Sequence, residues 1–156
     1  MGIYIRQPDG TYKELWEVLI SKEDIKSYVI SDDIYVSNDS EKDTYSTTYE
    51  KVKEFTLPSD FPPNTTLRIY FELCSTCPED AVAYARVYRN DTPVGTERSA
   101  RYLTSFKEDI DGWNPNDKVQ LYAKIPAGIC SARVKNFRIL GKTASITKFS
   151  ISVTLS

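Results

Sequence analysis

The 156-residue sequence contains no histidine. That excludes Ser-His-Asp and Cys-His nucleophilic sites, and metal sites built on imidazole. No run approaches the ~18 apolar residues of a membrane-crossing helix. The first ten residues lack the continuous apolar core of a signal peptide. Arg6 stands where the myristoylation pattern wants Ser or Thr. The expectation is synthesis in a cytoplasm without standard secretion, the chain then staying there or leaving as part of a virion or other extracellular particle. Charge of one sign is also missing: 20 Lys and Arg face 22 Asp and Glu, for a net charge of -2. Without a basic field, nucleic acid is disfavoured as a partner. The local group Arg133, Lys135 and Arg138 reads as a solvated strand face.

What is abundant is tyrosine, 11 residues against one methionine. Tyrosine suits half-buried strands and recognition surfaces. From Leu67 to Leu140 the chain reads as a ladder of strands: TLRIYFEL, VAYARVYR, TERSARYLTSFKEDI, KVQLYAKI and SARVKNFRIL. Turn chemistry separates them, including Asn90-Asp91-Thr92-Pro93 and a segment around Trp113. The spacing predicts an all-β fold, an antiparallel β-sandwich of jelly-roll type.

The flanks differ. Residues 1–30 form an N-terminal hairpin or attachment segment, or the outer strands of the same sandwich, with a turn at Pro8-Asp9-Gly10. SKEDIKSY fits one short helical turn capped by Ser21, with Asp24 three residues on. Residues 31–156 form the sandwich domain. Within it, residues 45–57 alternate like a strand with one wet face, and Pro58, Pro62 and Pro63 break the chain before the ladder. The last strand alternates at Ile146, Phe149, Ile151, Val153 and Leu155, and is free to pair with a neighbouring subunit. Trp113, flanked by turn residues, plugs an open end of the sandwich or stacks on a sugar.

Chemistry is sparse. Carboxylates cluster at Glu79/Asp80, at Glu108/Asp109/Asp111 and at Glu41/Asp43, all in turns or polar faces. A glycosidase would need two of them across one cleft. Asp109, Asp111, Asn114, Asn116 and Asp117 resemble an oxygen-rich cation loop without EF-hand spacing, and read as solvated turn residues. Cys74, Cys77 and Cys130 are the sharpest local feature. Alternating strand directions bring the loops at 74–80 and 126–131 to one end of the sandwich. This favours a disulfide involving Cys130 over free thiols, and free thiols over a metal.

GTERSARYLTSFKEDIDGWNPNDKVQLYAKI, followed after a short loop by VKNFRILG, resembles a recurrent β-sandwich module of phage and archaeal-virus structural proteins. The module occurs in tail, fibre or surface proteins. The likeness covers residues 44–141 and rests on Arg86, Tyr88, Arg89 and Asn90, Val94 to Ser99, Glu108 to Trp113, Pro115, Asp117, Val119 to Lys124 and Val134 to Ile139. No catalytic residue travels with the module. The insertion at Cys74–Pro78, with its two cysteines, departs from its pattern.

The resulting expectation is a non-enzymatic structural subunit of a virion or surface appendage, serving as capsid decoration, fibre or tail-associated protein. Its partners would be further copies of itself and other virion or appendage proteins. No cofactor is implied. The alternative is a module that binds carbohydrate or cell surfaces through Trp113 or through Tyr84, Tyr88, Tyr102 and Tyr122. Where these rings point separates the two readings. Trp16, on an amphipathic strand outside the main module, is a candidate anchor.

Overall fold

A computed structural model describes residues 3–127 and 129–155, with the side chains of 3, 5, 13–20 and 153–155 outside the description. The elements are β1 (Ile3–Arg6), β2 (Tyr12–Asn38), β3 (Lys42–Thr44), β4 (Glu50–Thr56), β5 (Thr65–Ser75), β6 (Ala83–Arg89), β7 (Thr92–Pro93), β8 (Arg98–Ala100), β9 (Thr104–Trp113), β10 (Lys118–Lys124) and β11 (Ala132–Leu155). One sheet runs β1-β2-β11-β5-β9, with β3 also paired to β11. The other runs β4-β10-β6-β7, with β8 on β6. The paired strands are antiparallel, and the two sheets pack together as a β-sandwich. Among the described residues no helix is long and apolar enough to cross a membrane.

Period-two alternation builds the core. β5 buries Leu67, Ile69, Phe71 and Leu73, and β6 buries Ala83, Ala85 and Val87. β10 adds Val119, Leu121 and Ala123. Each intervening residue is turned outward. Beside a slip between β4 and β10 at Leu121/Tyr122, two irregularities change this parity. In β11 the pairing with β5 slips between Lys135 and Arg138, and Asn136 lies at φ 51. The extra residue of this bulge buries Phe137 and Ile139 after Ala132 and Val134. It also puts Arg133, Lys135 and Arg138 on one outer face, despite their uneven spacing.

The second irregularity lies at the end of β9, where the register against β5 slips between Thr65 and Leu67. Gly112 takes φ +82 there, a backbone that favours glycine, and a Cβ would meet the Arg89 guanidinium at 3.1 Å. The bulge turns Trp113 inward to complete burial. Trp113 is thus the last residue of a strand rather than part of a turn.

Three local expectations are corrected. SKEDIKSY is not a helical turn: it lies within β2, and the Ser21 hydroxyl bonds across to Ser150 on β11. Cross-strand pairing there overrides a weak capping signal. TERSARYLTSFKEDI is not one strand: it is divided at residues 101–103 into β8 and the greater part of β9. The C-terminal strand is not a separate element either, because β11 continues through Gly141.

Two compact units divide the chain: Met1–Ile25 with Ser145–Ser156, and Lys26–Ala144. The larger unit holds the packed sheets. The smaller is formed by β1 and by segments of β2 and β11. In it, β1 pairs with Tyr12 to Leu15 of β2 across a turn. Asp9 Oδ1 accepts from the Thr11 amide at 2.9 Å and from its hydroxyl at 2.6 Å, closing an Asx turn.

Candidate functional site

The two outer faces of the sandwich differ in kind. On the six-stranded sheet the outward side chains neutralise one another. Arg68 binds Asp109 through two bonds of 2.8 and 2.9 Å. Arg133 grips Asp43 at 2.8 and 2.9 Å, and Arg138 grips Asp39 at 2.7 and 2.9 Å. Lys107 pairs with Asp32 at 3.1 Å and Lys135 with Glu72 at 4.0 Å. These bonds hold the carboxyls of Asp39, Asp43 and Asp109 below the usual carboxylate range. The face is a ladder of cross-strand ion pairs.

The five-stranded sheet presents tyrosine instead. β6 turns Tyr84, Arg86 and Tyr88 outward, and β10 turns out Tyr122 and Lys124 beside the fully buried Gln120. The register sets Lys124 against Tyr84, Tyr122 against Arg86, and Gln120 against both Tyr88 and Glu54. Tyr88 and Tyr122 stack with centroids 4.0 Å apart and planes at 23°. Tyr49, just ahead of β4, tilts against Tyr88 at 6.0 Å. Lys124 Nζ sits 4.4 Å from the Tyr49 ring centroid and 5.3 Å from that of Tyr84, within cation–π range.

Acids fasten this grid at both ends. The Tyr49 hydroxyl donates to Glu97 Oε2 at 2.6 Å, and Lys124 lies 3.5 Å from the same oxygen. The Tyr122 hydroxyl donates to Asp91 Oδ1 at 2.8 Å. Gln120 donates to Asp91 Oδ1 and Glu54 Oε2, both at 2.8 Å, and accepts from the Asp91 amide at 2.7 Å. Asp91 is held by a two-residue turn in which Asn90 and Asp91 have φ 49 and 64, the geometry that tight hairpins require. Tyr49, Tyr122 and Gln120, as donors, hold the carboxyls of Glu97, Asp91 and Glu54 respectively below their ordinary range. Burial, followed by the bond to Asp91, pushes the Tyr122 phenol up to about 12.

Of the aromatics singled out in the sequence, Tyr84, Tyr88 and Tyr122 are brought together. Tyr102 stands apart and exposed, its hydroxyl donating to Glu79. Trp113 offers no ring face to a ligand: it is fully buried, with the Arg89 guanidinium 5.5 Å from its centroid. The backbone of Trp16 lies in β2, and its side chain lies outside the described residues. Tyr49 escapes sequence reading, because it precedes its strand and only the fold lays it beside Tyr88.

Cys77 and Cys130 form a disulfide with Cα atoms 5.7 Å apart. Cys74 is a free thiol, and burial raises its pKa. The clustered carboxylates are engaged separately. Glu108 accepts from the Thr96 amide at 2.9 Å, Asp111 accepts from the Thr66 hydroxyl, and Asp43 holds Arg133. Asp117 accepts from the Asn114 amide at 2.8 Å and from the Asn90 side chain at 2.7 Å. Among the described residues no group of three or more Cys, Asp or Glu side chains is placed to hold a metal ion.

A cleft of about 660 Å³ runs between residues 26–30 and 62–66, and its one charged side chain, Lys26, pairs with Asp60. A smaller cleft of about 210 Å³ lies at the Tyr84 end of the tyrosine face, lined also by Asp80, Val82 and Arg101. No protein-family model matches the chain, and no curated protein or solved structure matches it.

Proposed function

We propose that the chain is a non-enzymatic structural subunit of a virion or surface appendage, and that copies of it associate through the C-terminal part of β11. The observation that carries this reading is the surface of that strand. Every residue from Lys142 to Ser152 is exposed. Ile146, Phe149 and Ile151 are exposed to 56, 68 and 67%.

β5 accompanies β11 only as far as Leu140, and β2 is its neighbour on the other side. Among the described pairings, one edge of β11 is bare beyond that point. Free edges are ordinarily guarded by charge or proline. Between Thr143 and Ser152 the sole charge is Lys148. A second copy of the same strand therefore meets it with only one like charge on each side, supplies the missing backbone partners and covers the apolar side chains. The virion or appendage setting is supported by the likeness across residues 44–141.

The test is the native mass by light scattering over a range of concentrations, with and without reductant. A defined multimer is expected in both conditions, because the disulfide lies within one chain. A monomer at every concentration overturns the proposal.

A further inference from the structure

We infer that the outer face of the five-stranded sheet binds a neutral oligosaccharide, with Tyr84 and Tyr122 as stacking surfaces and Asp91 and Glu97 as acceptors for its hydroxyl groups. Sugars present two chemistries at once. The C–H bonds of a pyranose face pack on aromatic rings, and its ring of hydroxyls needs planar, ionised or amide partners. This face carries both within one rigid grid, whereas the opposite outer face has spent its charges on itself.

The stacking surfaces follow from the ring contacts. Tyr88 lies between Tyr122 and Tyr49, and Lys124 lies by Tyr49 and Tyr84. Among the described contacts, Tyr122 and Tyr84 each have a single such neighbour, and both rings are half-buried rather than enclosed. Tyr84 also lines the 210 Å³ cleft with Asp80 and Arg101. That volume is below the ~300 Å³ of a drug-sized ligand pocket and suits a single sugar ring at the end of a longer chain lying on the sheet.

Acceptors are open as well. Each carboxylate spends one oxygen on the protein, Asp91 its Oδ1 and Glu97 its Oε2. Among the described residues, Asp91 Oδ2 and Glu97 Oε1 carry no bond. Both groups are oriented in advance, Asp91 by the two-residue turn and Gln120, Glu97 by Tyr49 and Lys124. Little ordering remains for a ligand to impose.

Charge selects the class. Arg86, Lys51, Lys118 and Lys124 stand against Glu54, Asp91 and Glu97, and in the cleft Arg101 stands against Asp80. A surplus of one cation gives the face little field to attract a sulfated or sialylated chain.

The experiment is calorimetric titration of the full chain with neutral hexasaccharides of glucose, mannose, galactose and N-acetylglucosamine. A sialylated and a sulfated oligosaccharide serve as acidic probes. At least one neutral probe is expected to bind more tightly than either acidic probe. Tyr84→Ala should weaken that binding about tenfold or more. Glu97→Gln, at a partly exposed site, should weaken it while leaving the thermal transition in place. It stands as the second variant should Tyr84→Ala or Tyr122→Ala fail to fold. Tyr70→Ala, on the ion-paired sheet, should leave affinity unchanged. Absence of binding by all the neutral probes, preference for an acidic one, or binding indifferent to Tyr84→Ala and Glu97→Gln overturns the inference. The same samples passed over light scattering keep this result separate from assembly, since a lost sugar site leaves the mass unaltered.

Discussion

The hydroxyl of Tyr28 donates to the carbonyl oxygen of Leu140 at 2.6 Å, and its ring occupies the space that a side chain at residue 141 would need. Gly141 therefore lets β11 pass beneath an aromatic cluster in which Tyr28 meets Tyr35 at 5.7 Å and Phe61 at 5.4 Å. Tyr28→Phe keeps the packing and loses the bond, at an expected cost of about 1 kcal/mol. Gly141→Ala forces the ring out and should cost more, roughly 1–3 kcal/mol as in overpacked cores. Urea unfolding of the two variants checks both the order and the size.

Cys77 and Cys130 close a loop with a sequence separation of 53. Chain entropy for a loop of that length stabilises the fold by about 4 kcal/mol, an upper figure within the usual range. Cys77→Ser with Cys130→Ser should lower the melting temperature on the order of 10 °C. The assembled mass at ambient temperature should be unchanged. Mass lost on reduction would place a cysteine at a contact between copies instead.

The sandwich was legible where alternation and turn chemistry agreed. β5 and β6 alternate without a break, β10 does so apart from the buried Gln120, and Asn90-Asp91 marks its own turn. What escaped reading depends on partners distant in sequence. The bulge at Asn136 carries no local signal, since asparagine is common on the surface. Only the burial of Phe137 after Val134 explains it. Ser21 reads as a helix cap because its partner, Ser150, lies 129 residues away. Trp113 reads as a turn residue because the bulge at Gly112 that turns it inward is visible only in the pairing with β5. The tyrosine face was half legible: alternation puts Tyr84 with Tyr88, but not Tyr49 with either.

Stability should fall at both ends of the pH range, for different groups. Asp43 has a folded pKa below its ordinary 3.8 because Arg133 binds the carboxylate; Asp39 and Asp109 behave alike through Arg138 and Arg68. The unfolded chain takes up these protons first as acid is added. The ion-pair contribution is therefore complete above about pH 5 and drains away as pH falls through 4 and below. Asp43→Asn should lower the neutral plateau and make the acid limb shallower. On the alkaline side the Tyr122 phenol rises from its ordinary 10 to about 12. Its contribution is present below pH 10 and is lost between 10 and 12. Burial also raises the phenols of Tyr28 and Tyr49, so Tyr122→Phe should make that limb shallower without abolishing it, read by urea unfolding across the pH range.

Phe149 and Ile151 lie two residues apart on one strand and so share a face, whereas Ile146 belongs to the opposite one. If copies associate by covering the Phe149 face, the two halves of β11's surface are not equivalent. Burying two such side chains contributes roughly 3–6 kcal/mol, at about 1.5–3 kcal/mol each. Phe149→Lys with Ile151→Lys should then raise the dissociation constant by at least about a hundredfold and bring the mass at micromolar concentration down to one chain. Ile146→Lys should leave the multimer in place. Retention of β structure in the far-ultraviolet spectrum separates loss of contact from loss of fold. Equal effects of all three substitutions would mean that the neighbouring copy covers both faces of β11 rather than the Phe149 face alone.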